Sequence, residues 1–259
     1  MSQIVGQISE KQDRLGALLS SHVPDPLEWM LKTSIQTAGP GQYLLMETDE
    51  TNSVIVVLHG WLSLSKSLPN GEVQIVDFAL PGEIIEAGVA EGSVSSVSVE
   101  ALTDVSVAVV PALAWDGMKR HRPDLTRISR DIRAAARART AERMLRLGRG
   151  NATMRMSYAL LELYIRLEAI GQARAGKFQL PMNQRMLGDF VGLSSVHVCR
   201  TLGQMVDSGT VRVGGHMNVE ILELDRLTDM AGVDLNILRS GILADVDHMS
   251  PMSTCPARA

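Results

Sequence analysis

The stretch NQRMLGDFVGLSSVHVCRTLGQMV, residues 183–206, has the spacing of small and apolar residues that is typical of a helix-turn-helix unit. Gly188 leaves room for two helices to approach each other, and Gly192 supplies the backbone angles that the turn requires. Ser194 is a favourable N-cap for a second helix, which is predicted to run from Ser195 to about Asp207. The apolar positions of the unit are Leu187, Val191, Leu193 and Val198.

A helix-turn-helix of this kind predicts a double-stranded DNA partner. Its second helix enters the major groove, where an arginine such as Arg200 can bond both acceptors of one guanine. Each of three residues has an alternative role. Arg200 can be a solvated or salt-bridged helix residue, and the lone His197 can be a helix cap. Cys199 can be an inert small thiol or a redox switch. The predicted DNA-binding residues are Gln184, Ser194, Ser195, Val196, His197, Cys199 and Arg200.

Two short strands are predicted after this unit, over residues 210–213 and 219–224, with a turn at Gly214 and Gly215 between them. They would form the wing of a winged helix-turn-helix, which usually lies against DNA phosphates. Arg212 is the only full charge that the predicted wing offers for that contact.

The distribution of charge agrees with a polyanionic partner. The net charge of −4 divides into −11 over residues 1–118, +11 over residues 119–212 and −4 over residues 213–259. A concentrated basic segment favours a polyanion, although a solvated arginine-rich helix explains the same charge equally well.

Residues 1–118 read as a β-rich module. Val54–Leu58 is an apolar run, Leu62 and Leu64 alternate with serines, and the turn at residues 69–71 leads into a second alternating stretch, which together predict a hairpin. Further alternation over residues 97–100 and 105–109 predicts a compact β-roll or barrel.

The hydrophobic period changes to that of a helix at Pro123. Residues 119–150 are assigned to one long helix and a hinge at Gly148 and Gly150. A narrow apolar stripe favours pairing with a second copy of the chain, whereas packing on the chain's own barrel is the alternative. The predicted dimer contacts are Leu125, Ile128, Ile132, Ala136 and Met144.

Composition excludes several classes of protein. Cys199 and Cys255 lie far apart, so neither a disulfide framework nor a cysteine-built metal centre is expected. No apolar run approaches the length of a membrane span, and we expect a cytoplasmic protein without a membrane partner. No nucleophile and base are placed together by a known motif, so we expect no enzyme, no metal and no cofactor.

Four motifs occur in order along the chain together with the single long helix: residues 68–83, 98–107, 187–202 and 219–232. They give the chain a clear resemblance to the Crp/Fnr family of bacterial transcription regulators, over roughly residues 35–233. The resemblance implies an α+β chain: a cyclic-nucleotide-binding-type β-roll sensor, a long dimerisation helix and a C-terminal winged helix-turn-helix. It also implies a homodimer that binds a palindromic promoter site and contacts RNA polymerase.

The domain prediction follows from this resemblance: a sensor over residues 1–118, the helix and hinge over 119–150, and the DNA-binding domain over 151–233. Residues 234–259 extend beyond the usual family end and are predicted to be a flexible tail.

The chain departs from the family in the cassette that binds cyclic AMP in some members. Ala87 stands at the position of the glutamate that takes the ribose, and Ser95 at that of the phosphate-binding arginine. A buried phosphate without a cation is costly, so the signal is predicted to differ from cyclic AMP, or to be absent. The residues of this degenerate pocket are Gly82, Glu83, Ala87, Ser95 and Ser96.

The base-reading glutamate common in the family is replaced by Val196, so a different half-site is expected. The alternative function is a β-roll signalling or scaffold protein whose helix-turn-helix binds protein.

Overall fold

The computed structural model describes residues 34–88 and 93–244. The sequence also predicts a short helical lead-in over residues 10–33, which lies outside these ranges. Within them, two antiparallel four-stranded sheets form an N-terminal β-roll, with strand orders β1-β8-β3-β6 and β2-β7-β4-β5. The strands are β1 Ile35–Ala38, β2 Tyr43–Leu45, β3 Ser53–His59, β4 Leu62–Ser67, β5 Val73–Ala79, β6 Ile84–Ile85, β7 Ser98–Ala101 and β8 Val105–Pro111.

The predicted hairpin is confirmed. β4 and β5 pair in antiparallel register from Leu62 opposite Ala79 to Ser67 opposite Val73. Two short strands of the roll, β2 and β6, are not predicted from the sequence, because three and two residues carry too little alternation to stand out from the surrounding loops.

The remaining elements are mostly helical, and with the roll they give the predicted α+β fold. A small three-stranded sheet in the order β10-β11-β9 contains the wing. The helices are α1 Ala112–His121, α2 Pro123–Arg149, α3 Ala152–Ala169, α4 Gln184–Val191, α5 Ser195–Asp207, α6 Leu224–Ala231 and α7 Leu235–Ile242, and the strands are β9 Lys177–Gln179, β10 Val211–Gly214 and β11 Asn218–Ile221.

The long helix α2 packs along its own β-roll, which corrects part of the predicted dimer surface. Leu125, Ile128 and Ile132 are buried in one cluster with strand residues such as Val54 and Val110. They are therefore covered by their own chain rather than left free for a second copy. Of the other two predicted contacts, Ala136 is half-buried and Met144 is exposed.

The C-terminal residues 235–242 form helix α7, so the prediction of a flexible tail from residue 234 is wrong for this segment. Asp234 caps the helix by accepting hydrogen bonds from the backbone N–H groups of Asn236 and Ile237, both at 2.9 Å. Leu238 and Ile242 are buried in the core. The sequence does not predict this two-turn helix, because its apolar spacing is short and the residues that follow it are rich in polar residues and proline. Residues 245–259 lie outside the described ranges.

One continuous apolar core joins the roll to the helix-turn-helix. Trp61, Ile75, Phe78 and Leu80 of the roll pack in the same cluster as the apolar side chains of α3, α4 and α5. The orientation of the C-terminal helices relative to the roll is therefore fixed by burial as well as by the covalent connection. Within the described residues no helix has both the length and the apolar character that a membrane crossing needs.

Candidate DNA-binding surface and its contacts with the roll

Helices α4 and α5 form the predicted helix-turn-helix. The side chain of Asn183 caps α4 by accepting from the N–H of Met186 at 2.9 Å. Gly192 ends α4 with φ 66°, which is the left-handed conformation that favours glycine. A Cβ atom on Gly188 would lie 2.4 Å from the carbonyl oxygen of Leu193, so the close approach at this position requires glycine. Both predicted glycine roles are confirmed.

The first turns of α5 face outward. Ser194 is the N-cap and its side chain accepts from the N–H of His197, as predicted. Val198 and Leu202 pack into the core, so the opposite side of the helix is left to solvent. The exposed residues of this side include the predicted positions Ser195, Val196, His197, Cys199 and Arg200, with Gly203 and Gln204 one turn further along.

Three of the predicted contacts differ in how free their side chains are. No carboxylate of the described residues lies within salt-bridge distance of Arg200, so its guanidinium is available to a ligand. The Nδ1 atom of His197 lies 2.9 Å from the Ser194 hydroxyl, so this imidazole takes part in the helix cap through one of its two nitrogens. Cys199 is an exposed free thiol that lines a groove together with Gln184 and the wing residue His216.

The wing is built from β10 and β11, and its predicted charge is already paired. Arg212 forms an ion pair with Glu220, and Lys177 of β9 lies 3.3 Å from the same carboxylate. Desolvation acts to raise the pKa of Glu220, but the hydrogen bonds and charges of Lys177 and Arg212 together outweigh it and lower the pKa. At the tip, His216 adopts φ 54° and is exposed. The wing therefore presents backbone and an imidazole rather than a free guanidinium.

A buried ionic cluster connects the roll to α2 and α3. Asp77 of β5 lies 3.0 Å from Arg143, 3.1 Å from Arg166 and 3.2 Å from Arg139. The three guanidinium groups also meet two further carboxylates, with Glu83–Arg166 at 2.8 Å and Glu162–Arg143 at 3.2 Å. Three positive and three negative side chains thus neutralise one another inside the molecule. We define these six residues, Asp77, Glu83, Glu162, Arg139, Arg143 and Arg166, as the interdomain ionic cluster.

The cluster strongly perturbs the titration of Asp77. Burial by itself raises the pKa of this carboxyl group, but the Coulombic attraction of Arg139, Arg143 and Arg166 outweighs burial and holds the pKa well below its usual range. For Arg166, burial acts to lower the pKa, while Glu83 and the other carboxylates raise it further above its ordinary value. Asp77 and Arg166 are therefore charged at neutral pH.

This cluster changes the interpretation of the charge asymmetry. Two of its carboxylates come from the acidic N-terminal module, and its three arginines come from the basic segment. Part of the excess positive charge of the basic segment is therefore neutralised by buried ion pairs. These ion pairs connect the acidic module to the basic one. The sequence signal that was available is the four-residue spacing of Arg139 and Arg143, and of Glu162 and Arg166, in otherwise mixed or apolar helices.

Other arginines cap the ends of helices at the junction. Arg155 donates to the carbonyl oxygens of Leu147 at 2.8 Å and Gly150 at 3.1 Å, at the end of α2, and to that of Gly192 in the helix-turn-helix turn at 3.3 Å. Cations are favourable at such carbonyl ends because of the helix dipole. Arg155 therefore links the end of the long helix to the turn that precedes the candidate recognition helix.

The C-terminal helices are held in the same way. Arg146 donates to the carbonyl oxygen of Ala231 at 3.0 Å, at the end of α6, and Arg139 donates to that of Ile242 at 3.2 Å, at the end of α7. Both arginines lie on the buried face of α2. The face that carries apolar side chains in the first half of α2 therefore carries arginines in the second half.

The known proteins that resemble this chain share both of its modules. Residues 35–121 match a family model described as a cyclic nucleotide-binding domain, and residues 154–230 match one described as a Crp-like helix-turn-helix domain. The transcriptional activator protein Anr of Pseudomonas aeruginosa is 30% identical over 200 residues, which covers 75% of this chain and 79% of that protein. The chain belongs to the Crp/Fnr family.

Further relatives agree with this assignment. The nitrogen fixation regulation protein FixK of Bradyrhizobium diazoefficiens is 29% identical over 191 residues, covering 74% of this chain and 79% of that protein. The structure of FixK2 from Bradyrhizobium japonicum superposes with a TM-score of 0.68 at 26% identity, covering 77% of this chain and 98% of that one. This Crp/Fnr protein is thus a DNA-binding transcription regulator, and these relatives are regulators rather than enzymes.

In this Crp/Fnr chain two of the five residues predicted for the effector pocket have partners elsewhere. The carboxylate of Glu83 turns towards Arg166 and Arg139 in the interdomain ionic cluster. Gly82 occupies the turn before β6, where its N–H donates to the carbonyl oxygen of Val57 at 2.9 Å.

Ala87, Ser95 and Ser96 do lie together. The N–H of Ser96 donates to the carbonyl oxygen of Ala87 at 3.3 Å, and the buried Ser95 hydroxyl donates to the backbone of Val97 at 2.5 Å. Lys66 reaches this loop and donates to the carbonyl oxygen of Ser96 at 2.7 Å.

The cations beside this loop are already neutralised. Lys66 is paired with Glu47 at 2.6 Å, and Arg133 of α2 is paired with Glu86 at 2.9 Å. A phosphate bound here would have to compete with these carboxylates. In residues 34–88 and 93–244, no group of three or more histidine, cysteine or acidic side chains is placed to hold a metal ion.

Proposed function

We propose that this regulator acts as a cytoplasmic homodimer that recognises a palindromic promoter site through α5 and contacts RNA polymerase there. The observation that carries the proposal is the outward face of the first turns of α5, where Ser195, Val196 and Arg200 are exposed. A base-reading helix must leave these turns uncovered by its own chain, because their side chains have to reach into the major groove. The DNA-binding role of the individual residues is part of the proposal.

A dimer is supported by the exposed face of α2. Ala134, Ala141 and Leu145 are exposed and Ala138 is half-buried, and their spacing of three and four residues places them on one side of the helix. Met144 lies beside them and is also exposed. Small residues in a line allow two helices to approach closely, and a two-fold axis along this face would present two copies of α5 to half-sites about 34 to 36 Å apart.

The dimer is tested by placing a charge on this face. Leu145→Glu is expected to shift the protein to a monomer in sedimentation velocity, because the carboxylate would be desolvated against its symmetry mate. Leu113→Glu, which changes an exposed leucine of α1, is the matched control and is expected to leave the dimer intact. A dimer of unchanged stability in Leu145→Glu would show that another face carries the contact.

The role of α5 is tested with DNA selected from a random library. Arg200→Ala is expected to lower the affinity for the selected site by about fivefold or more per half-site, since a bidentate arginine–guanine contact discriminates by ~1 to 3 kcal/mol. Arg120→Ala removes one exposed arginine from α1 and controls for the loss of charge alone. If Arg200→Ala discriminated between selected and scrambled DNA as well as the unaltered protein does, Arg200 would not be a base-reading residue.

The signal is proposed to be something other than cyclic AMP, or the protein is active without a ligand. Support comes from the pairing of Lys66 with Glu47 and of Arg133 with Glu86 around the degenerate cassette. Isothermal titration calorimetry with cyclic AMP is expected to show no binding at micromolar concentrations. Measurable micromolar affinity would contradict this part of the proposal while leaving DNA recognition untouched.

A further inference from the structure

We infer that Val196 determines part of the operator sequence by packing against the C5-methyl group of a thymine in each half-site. The inference rests on the proposed function of α5. The side chain of Val196 is 75% exposed in the first turn of this helix. An isopropyl group neither donates nor accepts a hydrogen bond, and the thymine methyl is the apolar group that base pairs present in the major groove.

The surroundings of Val196 favour DNA over a protein partner. Its exposed neighbours along the helix are Ser195, His197, Cys199 and Arg200, and apart from the small thiol of Cys199 all of them are polar or charged. A single apolar side chain within a polar surface is not the contiguous apolar patch that a protein partner covers. Polar donors around one apolar contact do suit a surface that meets phosphates and base edges.

Arg200 places the expected thymine relative to a guanine. Val196 and Arg200 are separated by four residues and therefore lie one turn apart on the same side of α5. Four residues rise about 6 Å along a helix, and base pairs are stacked about 3.4 Å apart. The thymine read by Val196 is therefore expected within about two base pairs of the guanine read by Arg200.

Gly203 provides a second observation on the same side of the helix. It follows Arg200 by three residues and is exposed, and a Cβ atom added to it would meet no protein atom within 4 Å. Glycine weakens a helix interior relative to alanine, and the fold does not require it at this position. Because Gly203 has no side chain, the helix backbone can approach the groove closely. A side chain as short as valine needs such a close approach in order to touch a base.

The inference is tested by removing the methyl group alone. In the selected operator, each half-site thymine is replaced in turn by deoxyuridine, symmetrically in both halves, and binding is measured by fluorescence anisotropy. One position is expected to weaken binding of the unaltered protein by about fourfold per half-site, the effect of one buried methyl-sized group. In Val196→Ala the same substitution is expected to have little effect, while the guanine preference that depends on Arg200 is retained.

A second variant separates the outcomes further. Val196→Glu introduces an acceptor for the amino group of cytosine, so selection with this variant is expected to replace thymine at that position. The inference would be overturned if Val196→Ala were as sensitive to deoxyuridine as the unaltered protein. It would also be overturned if no deoxyuridine position weakened binding. Either result would leave DNA recognition by α5 intact. Failure of the unaltered protein to select any sequence would instead overturn the proposed function.

Discussion

The aromatic ring of Phe78 in the β-roll lies 4.7 Å from that of Phe190 in helix α4, centroid to centroid. The contact is strengthened by Gln74, whose side-chain amide donates to the carbonyl oxygen of Phe190 at 3.1 Å, and by Arg143, which lies 5.0 Å from the centre of the same ring. Strand β5 therefore contacts the supporting helix of the helix-turn-helix directly. Repositioning α5 relative to the roll requires these contacts to change.

The interdomain ionic cluster should make a large contribution to stability. Asp77→Asn leaves Arg139, Arg143 and Arg166 with one negative charge fewer in a buried site, and breaking such a pair costs about 3 to 5 kcal/mol. We expect the free energy of unfolding in urea to fall by roughly 3 kcal/mol. The matched control is Asp116→Asn, whose carboxylate is about half exposed in its ion pair with Lys119, and this pair should be worth at most about 1 kcal/mol. Equal losses in the two variants would contradict a structural role of the cluster.

The same carboxylate should make stability depend on acid. The pKa of Asp77 is depressed in the folded state by the arginines of the cluster, so the unfolded state takes up its proton first as the pH falls. Its contribution is present above the ordinary aspartate pKa of about 3.9 and declines below it. Between about pH 4 and pH 2, the unfolding free energy of the unaltered protein should fall more steeply than that of Asp77→Asn. Parallel pH profiles would show that the ionised Asp77 is not stabilised by its neighbours.

Two glycines of the helix-turn-helix should respond in opposite directions. Gly188→Ala forces a Cβ atom against the Leu193 carbonyl and is expected to destabilise the fold by about 1 to 3 kcal/mol. Gly203→Ala fills open space and is expected to stabilise it by ~0.5 to 1 kcal/mol. If α5 enters the groove as proposed, Gly203→Ala should also weaken operator binding. Thermal unfolding and anisotropy titrations of the two variants measure both effects, and tighter operator binding by Gly203→Ala would argue against the close approach.

Helix α7 should behave as part of the core. Ile242→Ala removes a side chain that is 1% exposed and is expected to cost about 2 kcal/mol or more. Ile237→Ala makes the same kind of change on the same helix at a side chain that is 72% exposed, and should stay within about 0.5 kcal/mol. Chemical denaturation of the full chain compares the two directly. Similar small effects would mean that α7 is detached from the core in solution.

The helix-turn-helix could be predicted closely because its signals are local. Ser194, Gly188 and Gly192 act on backbone groups within six residues of themselves, so their roles are visible in the sequence, and α5 begins and ends where the cap and the period place it. The exposure of Arg200 follows from the same period. These local signals do not reach the residues that pack against the helix from elsewhere in the chain.

Helix α2 shows where sequence reasoning fails. The apolar stripe predicted from hydrophobic periodicity runs from Ile132 through Ala136 to Met144. In the structure these residues lie progressively closer to the exposed side of the helix. The face that is buried continues through Arg139 and Arg143, because carboxylates of β5 and its following turn neutralise them. A scale that assigns arginine to the surface cannot find this face without knowing that Asp77 lies opposite.

The sequence by itself determined the order of the modules, the hairpin, the turn glycines and the helix whose first turns face outward, since each depends on backbone preferences over a few residues. Only the tertiary structure decided that three arginines of a basic segment form buried ion pairs with carboxylates of the acidic roll. It also decided that part of the predicted dimer stripe lies in the core and that residues 235–242 form a helix. The physical reason is that both burial and charge neutralisation depend on partners far away in the chain, and the sequence does not state which groups will meet.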